Sequence, residues 1–301
     1  MIKKADFKLL DRGFFPLFKR FAEEFYTESC ERSWGNLQLY MDTYRWHGAV
    51  CDDRLWIVSF DTAYSFFPLG KIITPGLLRD KLILFDQWCG KTCQCGDLPP
   101  DYLLSFPEAE QYLQIEQDPG EADYIYDLEH LHSFSGERLR KRHNQFRQFE
   151  RAYDGDYSVS VLQNEDLVEV IDLAGKVSSL YWDTPSGMEE KSALSRLPEF
   201  WSNQECGLSG VKLQVHNSLI GFSIFSDLGN GLADIHFEKT DHTFRGSGAM
   251  LTFALTDYLL SKNFRFMNRE QDLNETGLRR AKNALDPDHL YCRLSAEARL
   301  S

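Results

Sequence analysis

The sequence has no long apolar run and no excess of positive charge. No segment is long enough to span a bilayer, and the opening MIKKADFKLLDRGFF lacks the apolar core of a signal peptide, so we expect a cytoplasmic protein. Lys and Arg total 33 against 46 Asp and Glu, which gives a formal net charge of −13. Non-specific nucleic-acid binders are normally basic, so this balance argues against that class.

Several familiar catalytic motifs are also missing. The sequence contains no GxSxG elbow, no HExxH pair and no Walker A loop, so nothing favours a hydrolase, a zincin or a P-loop NTPase. It has no low-complexity segment or long linker either. The 301 residues, 43% of them hydrophobic, suffice for one large or two ordinary domains with real cores.

The 7 cysteines lack a secretory context, which predicts reduced thiols. Three of them are close together in the order Cys89-x3-Cys93-x-Cys95. This spacing matches no common zinc or iron–sulfur pattern, and no suitable fourth ligand stands nearby. We therefore interpret them as structural thiols and predict that they bind no metal.

The order of predicted elements repeats once along the chain. In the second half, strands near 157–162, 211–216, 219–226 and 232–238 combine with helices at about 164–181, 189–204 and 250–260 and with a final strand at 289–294. The first half has strands near 5–10, 47–51, 54–60, 63–68, 92–96 and 123–128. Its helices are one carrying Phe14, Leu17, Phe18, Phe21 and Phe25, and three further ones near 34–44, 76–88 and 100–113. The prediction is an α/β protein with mixed sheets, built from two tandem units. The predicted boundaries are 1–132, a basic connecting helix at 133–155, and 156–301.

A glycine loop follows the strand Leu232–Glu238 and precedes a helix. Its sequence is Arg245-Gly246-Ser247-Gly248. Glycines let backbone amides approach an anion closely, and the helix N-terminus adds partial positive charge. The loop is either an ordinary turn or a phosphate site. The first half has no equivalent, since residues 69–76 read LGKIITPG, so we expect the first unit to be degenerate.

Polar residues cluster at the ends of two neighbouring strands. Alternation puts Asp234, His236 and Glu238 on one face of their strand, and Phe264–Met267 runs directly into Asn268-Arg269-Glu270-Gln271-Asp272. His236 or Glu238 could act as a general base, or the three could simply form the wetter face of an edge strand. The second cluster is either catalytic or a hydrogen-bonded junction that caps the helix after Asn274. A metal site formed by the first three has no further support.

Residues 137–153, ERLRKRHNQFRQFERAY, form a basic segment in an acidic protein. Leu139, Phe146 and Tyr153 recur every seven residues, with Phe149 beside them, so one stripe can pack. The charged side is either a solvated helix surface or, through Arg138, Lys141 and Arg142, a contact surface for a polyanion.

The element order resembles the GNAT acyltransferase fold in tandem, with RGSG at that superfamily's pyrophosphate-binding position, although Met250 departs from the usual small residue. Three stretches, DYIYDLEHL…RLRKRHNQFRQF (123–149), LADIHFEKTDHTFRGSGAM (232–250) and FMNREQDLNETGLRRAKNAL (266–285), resemble the DUF2156 family. That family is related to the phosphatidylglycerol lysyltransferase C-terminal domain and to Fem-type aminoacyltransferases.

The resemblance implies transfer of an acyl or aminoacyl group to an amine or hydroxyl. The donor would be acyl-CoA or aminoacyl-tRNA, with no tightly bound cofactor, and the acceptor a small molecule, peptide or lipid. The implied catalytic residues are His236, Glu238, Asn268, Arg269, Glu270 and Asp272. The implied donor-binding residues are Arg245, Gly246, Ser247, Gly248, Arg280 and Lys282, with Arg279 on the same helix. Two alternatives remain, an acetyl-CoA-dependent N-acetyltransferase and a non-catalytic binding module of the same fold.

Overall fold

The computed structural model describes residues 2–24 and 27–300. Over these ranges the strands are β1 Lys8–Leu9, β2 His47–Cys51, β3 Arg54–Ser59, β4 Tyr64–Phe66, β5 Leu69–Gly70, β6 Gln94–Leu98, β7 Leu113–Glu116, β8 Asp123–Asp127, β9 Tyr157–Val161, β10 Ser209–Val215, β11 Ser218–Gly229, β12 Leu232–Thr240, β13 Phe266–Asn268, β14 His289–Tyr291 and β15 Leu294–Ala298. The α-helices are α1 Phe15–Glu23, α2 Trp34–Leu39, α3 Met41–Tyr44, α4 Pro75–Cys89, α5 Tyr102–Ser105, α6 Leu128–Ser133, α7 Arg140–Ala152, α8 Leu167–Val177, α9 Pro185–Ser195, α10 Leu197–Trp201, α11 Ser247–Ser261 and α12 Thr276–Asn283.

The first compact unit runs up to Ala122 and includes the segment from Tyr291 onward. Its strands lie in the order β1-β2-β3-β4-β6-β15-β7, with β5 also paired to β3 and with β4 parallel to β6. α4 presents Leu78, Leu82 and Phe85 to the core of this unit, where all three are fully buried. Burying each such side chain stabilises the fold by about 1.5–3 kcal/mol. Cys93 and Cys95 belong to the same core.

Cys89, Cys93 and Cys95 are free thiols that lie in or against the apolar core of the first unit. Burial raises the pKa of Cys95 to about 12 and also raises the pKa of Cys89 and Cys93. A thiol must lose its proton to ligate a metal, so this environment opposes ligation. That these cysteines bind no metal stays a prediction.

The second compact unit comprises Asp123–Leu290, with strands in the order β14-β8-β13-β12-β11-β10-β9. α6, α7 and α11 contribute Leu131, Phe149 and Leu255 to one core with sheet residues such as Ala233 and Met267. The apolar stripe of the basic segment is confirmed, since Leu139, Phe146 and Phe149 are buried and Tyr153 packs against them. α8 packs against β11 and β12, but none of its residues joins this core, which places α8 on the other face of the sheet.

Much of the predicted element list is confirmed, including α4, α11 and the three strands β10, β11 and β12. The short connections between the strands predicted at 47–51 and 54–60, and between those at 211–216 and 219–226, are hairpin turns, in which Asp52, Asp53, His216 and Asn217 all have positive φ. α1 buries Phe18 and Phe21, whereas the predicted role of Phe25 lies outside the described residues.

Three element predictions are wrong in detail. The helix expected at 100–113 is only α5 and a short turn, followed by β7, because Pro107 prevents a continuous helix. Pro198, in the first turn of α10, divides the helix expected at 189–204 into α9 and α10. The strand expected at 289–294 is two strands, β14 and β15, which belong to different sheets.

The unit boundaries also differ from those predicted. β8 was expected to close the first unit at residue 132, yet it pairs with β13 in the second sheet. β15 lies between β6 and β7 in the first sheet, and α7 belongs to the second unit and is not a separate connector. Apolar periodicity identifies a strand but not its neighbour, so the sequence could not show this exchange.

Candidate functional site

The parallel strands β12 and β13 separate in the middle of the second sheet. Their pairing runs only from Leu232–Phe266 to Asp234–Asn268, although β12 continues to Thr240. After Asn268 the chain follows β8 instead, because the Arg269 amide donates to the Tyr124 carbonyl at 3.0 Å and the Tyr124 amide donates to the Glu270 carbonyl at 3.2 Å. Beyond Asp234, therefore, β12 and the chain that follows β13 are connected by side chains and not by backbone hydrogen bonds.

A β-bulge interrupts β12 at His236. Ile235 pairs with Phe225 and Phe237 pairs with Ile224, so His236 is an extra residue with no partner on β11. A bulge of this kind breaks the alternation of side chains along a strand. The expectation that alternation aims His236 and Glu238 the same way is therefore wrong, and the two residues contact different groups.

The His236 ring is enclosed by polar groups. Its Nε2 lies 2.9 Å from Ser226 Oγ, and its Nδ1 lies 3.4 Å from Glu270 Oε1 and 3.5 Å from Asp234 Oδ2. The ring is 0% exposed, and both of its nitrogens face protein groups. Among the described residues, the side chains of Asp234, His236 and Glu270 lie close enough together to hold a metal ion. The sequence pattern grouped Asp234 and His236 with Glu238, whereas the structure groups them with Glu270.

Glu238 and Arg269 form an ion pair across the space between the strands. Arg269 donates from one terminal nitrogen, NH2, to Glu238 Oε1 at 2.7 Å, and both side chains are 16% exposed. The second oxygen of Glu238, Oε2, and the other terminal nitrogen of Arg269, NH1, are buried without a hydrogen-bond partner. Burial works to lower the pKa of Arg269, but the charge of Glu238 outweighs it and the pKa lies above its ordinary value. The ion pair therefore leaves one hydrogen-bond acceptor, Glu238 Oε2, and one donor, Arg269 NH1, for a further group.

Asn268 and Asp272 are structural. Asn268 is fully buried, and its Oδ1 accepts the Glu270 amide at 2.6 Å. The fully buried Asp272 accepts the Tyr124 hydroxyl at 2.7 Å and Arg279 at 2.7 and 2.8 Å. Burial raises the pKa of Asp272, but these partners outweigh it and lower the pKa overall. The hydrogen-bonded junction is thus the better description of this part of the cluster, although α12 begins after Glu275 and Asn274 does not cap it.

The cationic residues of α12 have different surroundings. Arg279 pairs with Asp272, and Arg280 is exposed. Lys282 is buried; its Nζ donates to the Arg269 carbonyl and lies 5.7 Å from the centre of the Tyr124 ring. Lys282 therefore positions the Arg269 backbone, and the donor-binding prediction for it has no geometric support.

The glycine loop is organised by Asp241. Its Oδ1 accepts the Thr243 amide at 3.0 Å and the Thr243 hydroxyl at 2.6 Å, and its carbonyl accepts the hydroxyl of the buried Ser247 at 3.1 Å. Hydrogen bonds from Lys176 and Thr243 lower the pKa of Asp241 to about 2. The carboxylate is thus ionised at neutral pH and fixes the turn before α11.

The two glycines of the loop serve different purposes. Gly246 has φ +86°, and a Cβ there would lie 2.3 Å from the Gln145 carbonyl, so this glycine permits the close approach of α7. A Cβ on Gly248 would meet only Thr240 Oγ1 at 3.7 Å. The amides of Ser247, Ala249 and Met250 donate to nearby carbonyls. Within the described ranges the Gly246 and Gly248 amides have no such partner, and Arg245 beside them is exposed without an ion pair.

The three basic residues of the proposed polyanion surface separate in space. Arg138 is exposed and pairs with Asp286 at 2.7 Å, and Lys141 is exposed. Arg142 is half-buried. Burial lowers its pKa, the charge of Arg269 lowers it further, and Glu238 and Tyr126 act in the opposite direction. Arg142 thus lies within electrostatic reach of the Glu238–Arg269 pair.

Sequence reasoning missed four residues of this region, namely Tyr124, Tyr126, Ser226 and Asp241. Tyr126 donates its hydroxyl to the Lys282 carbonyl at 2.9 Å. Asp241 was detectable, since Asp-x-Thr is a common turn pattern and the glycine loop follows it. Ser226 carried no signal, because only the bulge brings it to His236.

The fold is shared with solved structures that include FemX and a GNAT-family acetyltransferase from Colwellia psychrerythraea. A conserved protein of unknown function from Bacteroides thetaiotaomicron superimposes with TM-score 0.87 at 21% identity, over 97% of this chain and 99% of that chain. FemX gives 0.64 at 8% identity over 94% and 95%, and L-PGS from Bacillus licheniformis gives 0.61 at 14% over 96% and 92%. At these identities the likeness shows the fold alone.

The chain belongs to the family described as "Phosphatidylglycerol lysyltransferase, C-terminal", whose profile matches residues 24–294. No curated protein matches the sequence. Family and fold are acyltransferase-like. Over the described residues, no helix combines the length and the apolar character that crossing a membrane requires.

Proposed function

We propose that the protein is a transferase that moves an acyl or aminoacyl group from acyl-CoA or aminoacyl-tRNA to an amine or hydroxyl. The decisive feature is the pair of Gly246 and Gly248 amides at the start of the long helix α11, because within residues 2–24 and 27–300 they have no hydrogen-bond partner and they lie beside the exposed Arg245. Such an arrangement suits a donor phosphate. Family membership supports the same class of reaction.

The chemistry falls to Glu238 in this proposal. Its Oε2 has no partner, so it can accept the proton of an attacking amine or hydroxyl. Arg269 holds the carboxylate in place through its other oxygen. His236 has both ring nitrogens turned towards protein groups and is a positioning residue that supports Glu270 and the bulge.

Replacing Arg245 with Ala tests donor binding. We expect the Kd for CoA or for aminoacyl-tRNA to rise about tenfold, since one charge-assisted phosphate contact is lost. The matched control is Lys262→Ala, which removes an exposed cation just beyond the other end of α11. Equal effects of the two substitutions, or no binding of either donor by the unmodified protein, would contradict the proposal.

The donor is identified by native mass spectrometry of freshly purified protein. A retained CoA species would favour the acetyl-CoA-dependent N-acetyltransferase, and retained tRNA would favour aminoacyl transfer. A protein that binds neither donor would have to be regarded as a non-catalytic module.

A further inference from the structure

The neighbourhood of Glu238 contains more positive than negative charge. Arg269 and Arg142 are both guanidinium groups, which stay charged at physiological pH. Glu238 is the carboxylate that pairs with Arg269. Among the described residues Arg142 makes no hydrogen bond or ion pair, although it is half-buried. A partly buried positive charge is costly unless an anion compensates it.

The same cluster has one open donor and one open acceptor. Arg269 NH1 and Glu238 Oε2 are both buried without a hydrogen-bond partner. Leaving such a group unsatisfied costs about 1–3 kcal/mol each. Because NH1 and Oε2 belong to two side chains joined at 2.7 Å, a small ligand can meet both at once.

α7 connects this cluster to the glycine loop. Gln145 packs its carbonyl against Gly246, and Arg142 lies three positions earlier on the same helix, about 4.5 Å along its axis. The Arg142 position and the glycine loop therefore both adjoin one short stretch of α7. An acceptor bound beside Arg142 and a donor bound at the loop would be held by the same helix, and acyl transfer requires both reactants to be held in fixed positions.

We propose that Arg142, Arg269 and Glu238 bind the α-carboxylate and α-amine of a free amino acid, which is the acyl acceptor. The carboxylate lies on Arg269 NH1 and Arg142, and the ammonium lies on Glu238 Oε2. A single negative charge offsets the extra guanidinium, whereas a phosphate dianion would be repelled by Glu238. The inference rests on the proposed function and names the substrate class for it.

The reaction on this acceptor is a group transfer without redox change. The ammonium gives a proton to Glu238, and the freed amine attacks the donor carbonyl. An N–C bond forms while the C–O bond of the aminoacyl ester, or the C–S bond of a thioester, breaks. The leaving oxygen or sulfur takes this proton from Glu238. The nitrogen that has formed the new bond then gives its second proton to the freed Glu238 carboxylate, which releases it to solvent, and the product is an amide.

Binding by the intact, unmodified protein tests the acceptor class. The twenty standard amino acids are titrated singly by calorimetry, and the one that binds is compared with its amide, its N-acetyl form and inorganic phosphate. We expect the amide and the N-acetyl form to bind at least tenfold more weakly, because each lacks one of the two recognised charges. Binding of the amide as tight as that of the amino acid, binding of phosphate in its place, or binding of no amino acid would overturn the inference.

Variants locate the site. Arg142→Gln should weaken the amino acid at least tenfold, Arg142→Lys should restore part of the affinity, and Arg147→Gln should leave it unchanged. Arg147 is the matched control, because it lies on α7 but pairs with Glu150 on the surface. If no amino acid binds while CoA or tRNA binds in an Arg245-dependent way, the inference fails and the proposed function stands. Loss of donor binding would instead remove the proposed function itself.

Discussion

At the scale of single residues, His236 and Glu238 should respond differently to substitution. His236→Ala leaves Asp234 and Ser226 buried beside an empty space, so we expect a loss of roughly 2–4 kcal/mol in the free energy of unfolding. Glu238→Gln keeps the shape and should change stability little, but it should lower kcat about a hundredfold or more because the proton acceptor is gone. Denaturant unfolding and steady-state kinetics measure the two effects. A His236→Ala protein of normal stability with kcat reduced as far as in Glu238→Gln would show that His236 takes part in the chemical step.

Asp241 predicts a dependence of stability on pH. Its folded-state pKa of about 2 lies below the ordinary 3.8, so its ionised form stabilises the fold above pH 4, and this contribution is lost as the pH falls towards 2. The full shift would correspond to about 2 kcal/mol, and we expect nearer 1 kcal/mol because the partner Lys176 is 67% exposed. Asp241→Asn should therefore be destabilised at pH 7 and match the unmodified protein at pH 2. A difference in unfolding free energy that stays constant from pH 7 to pH 2 would assign the stabilisation to something other than the charge.

The candidate residues were predictable in type but not in arrangement. The sequence identified Arg245, Glu238 and Arg269 because glycine turns and polar strand ends can be read locally. It could not show the bulge at His236, because a bulge depends on the register with β11. It also could not show that Arg142 turns inward while Arg138 and Lys141 face solvent, since that depends on how α7 packs.

At the scale of secondary-structure elements, the glycine loop offers a matched pair of substitutions. Gly246→Ala should destabilise the protein by about 2 kcal/mol or more, because φ is +86° and the new Cβ would meet the Gln145 carbonyl at 2.3 Å. Gly248→Ala should leave stability nearly unchanged and weaken the binding of CoA or aminoacyl-tRNA, since the new Cβ would meet only Thr240 Oγ1, at an ordinary contact distance of 3.7 Å. Thermal unfolding and donor titration distinguish the two. Unchanged donor affinity in Gly248→Ala would argue against phosphate binding at this loop.

The exposed side of α7 yields a separate prediction. Replacing Arg138 and Lys141 together with Ala should weaken tRNA binding and reduce the slope of log K against log salt by about one to two, since each phosphate contact contributes roughly 0.7–0.9 to that slope. Arg142 is left intact, so the interior of the site is unchanged. An unaltered slope would mean that this side of α7 is only a solvated surface, with Arg138 occupied by Asp286.

At the scale of the whole molecule, the fold class was predictable and the exchange of strands was not. Alternating strands and helices, repeated once, specify two α/β units. Strand pairing is a long-range property, and DYIYDL has the same local character whichever sheet it joins. The first unit therefore consists of two segments distant in sequence, which a boundary drawn at one point along the chain cannot represent.

Removal of the residues after Leu290 tests this arrangement. β15 lies between β6 and β7, so its loss should leave β7 without its partner and β6 paired only with β4, while β9 to β13 keep all of their partners. We expect amide hydrogen exchange to become fast at 94–98 and 113–116 and to stay slow at 209–240. Uniform loss of protection in both units would show that they do not fold separately, and no change in exchange would contradict the placement of β15.

The position of β15 also affects how the chain folds as it is synthesised. Glu116 leaves the ribosome long before Leu294 does, and at about 5–20 residues per second the delay is roughly 10 to 35 seconds. During that time β6 and β7 have open edges, and open edges invite pairing with other chains. The second unit contains all of its own strands from β8 to β13 and can become native first. Nascent chains stalled before residue 294 should accordingly recruit chaperones through the part of the first unit that ends at Ala122.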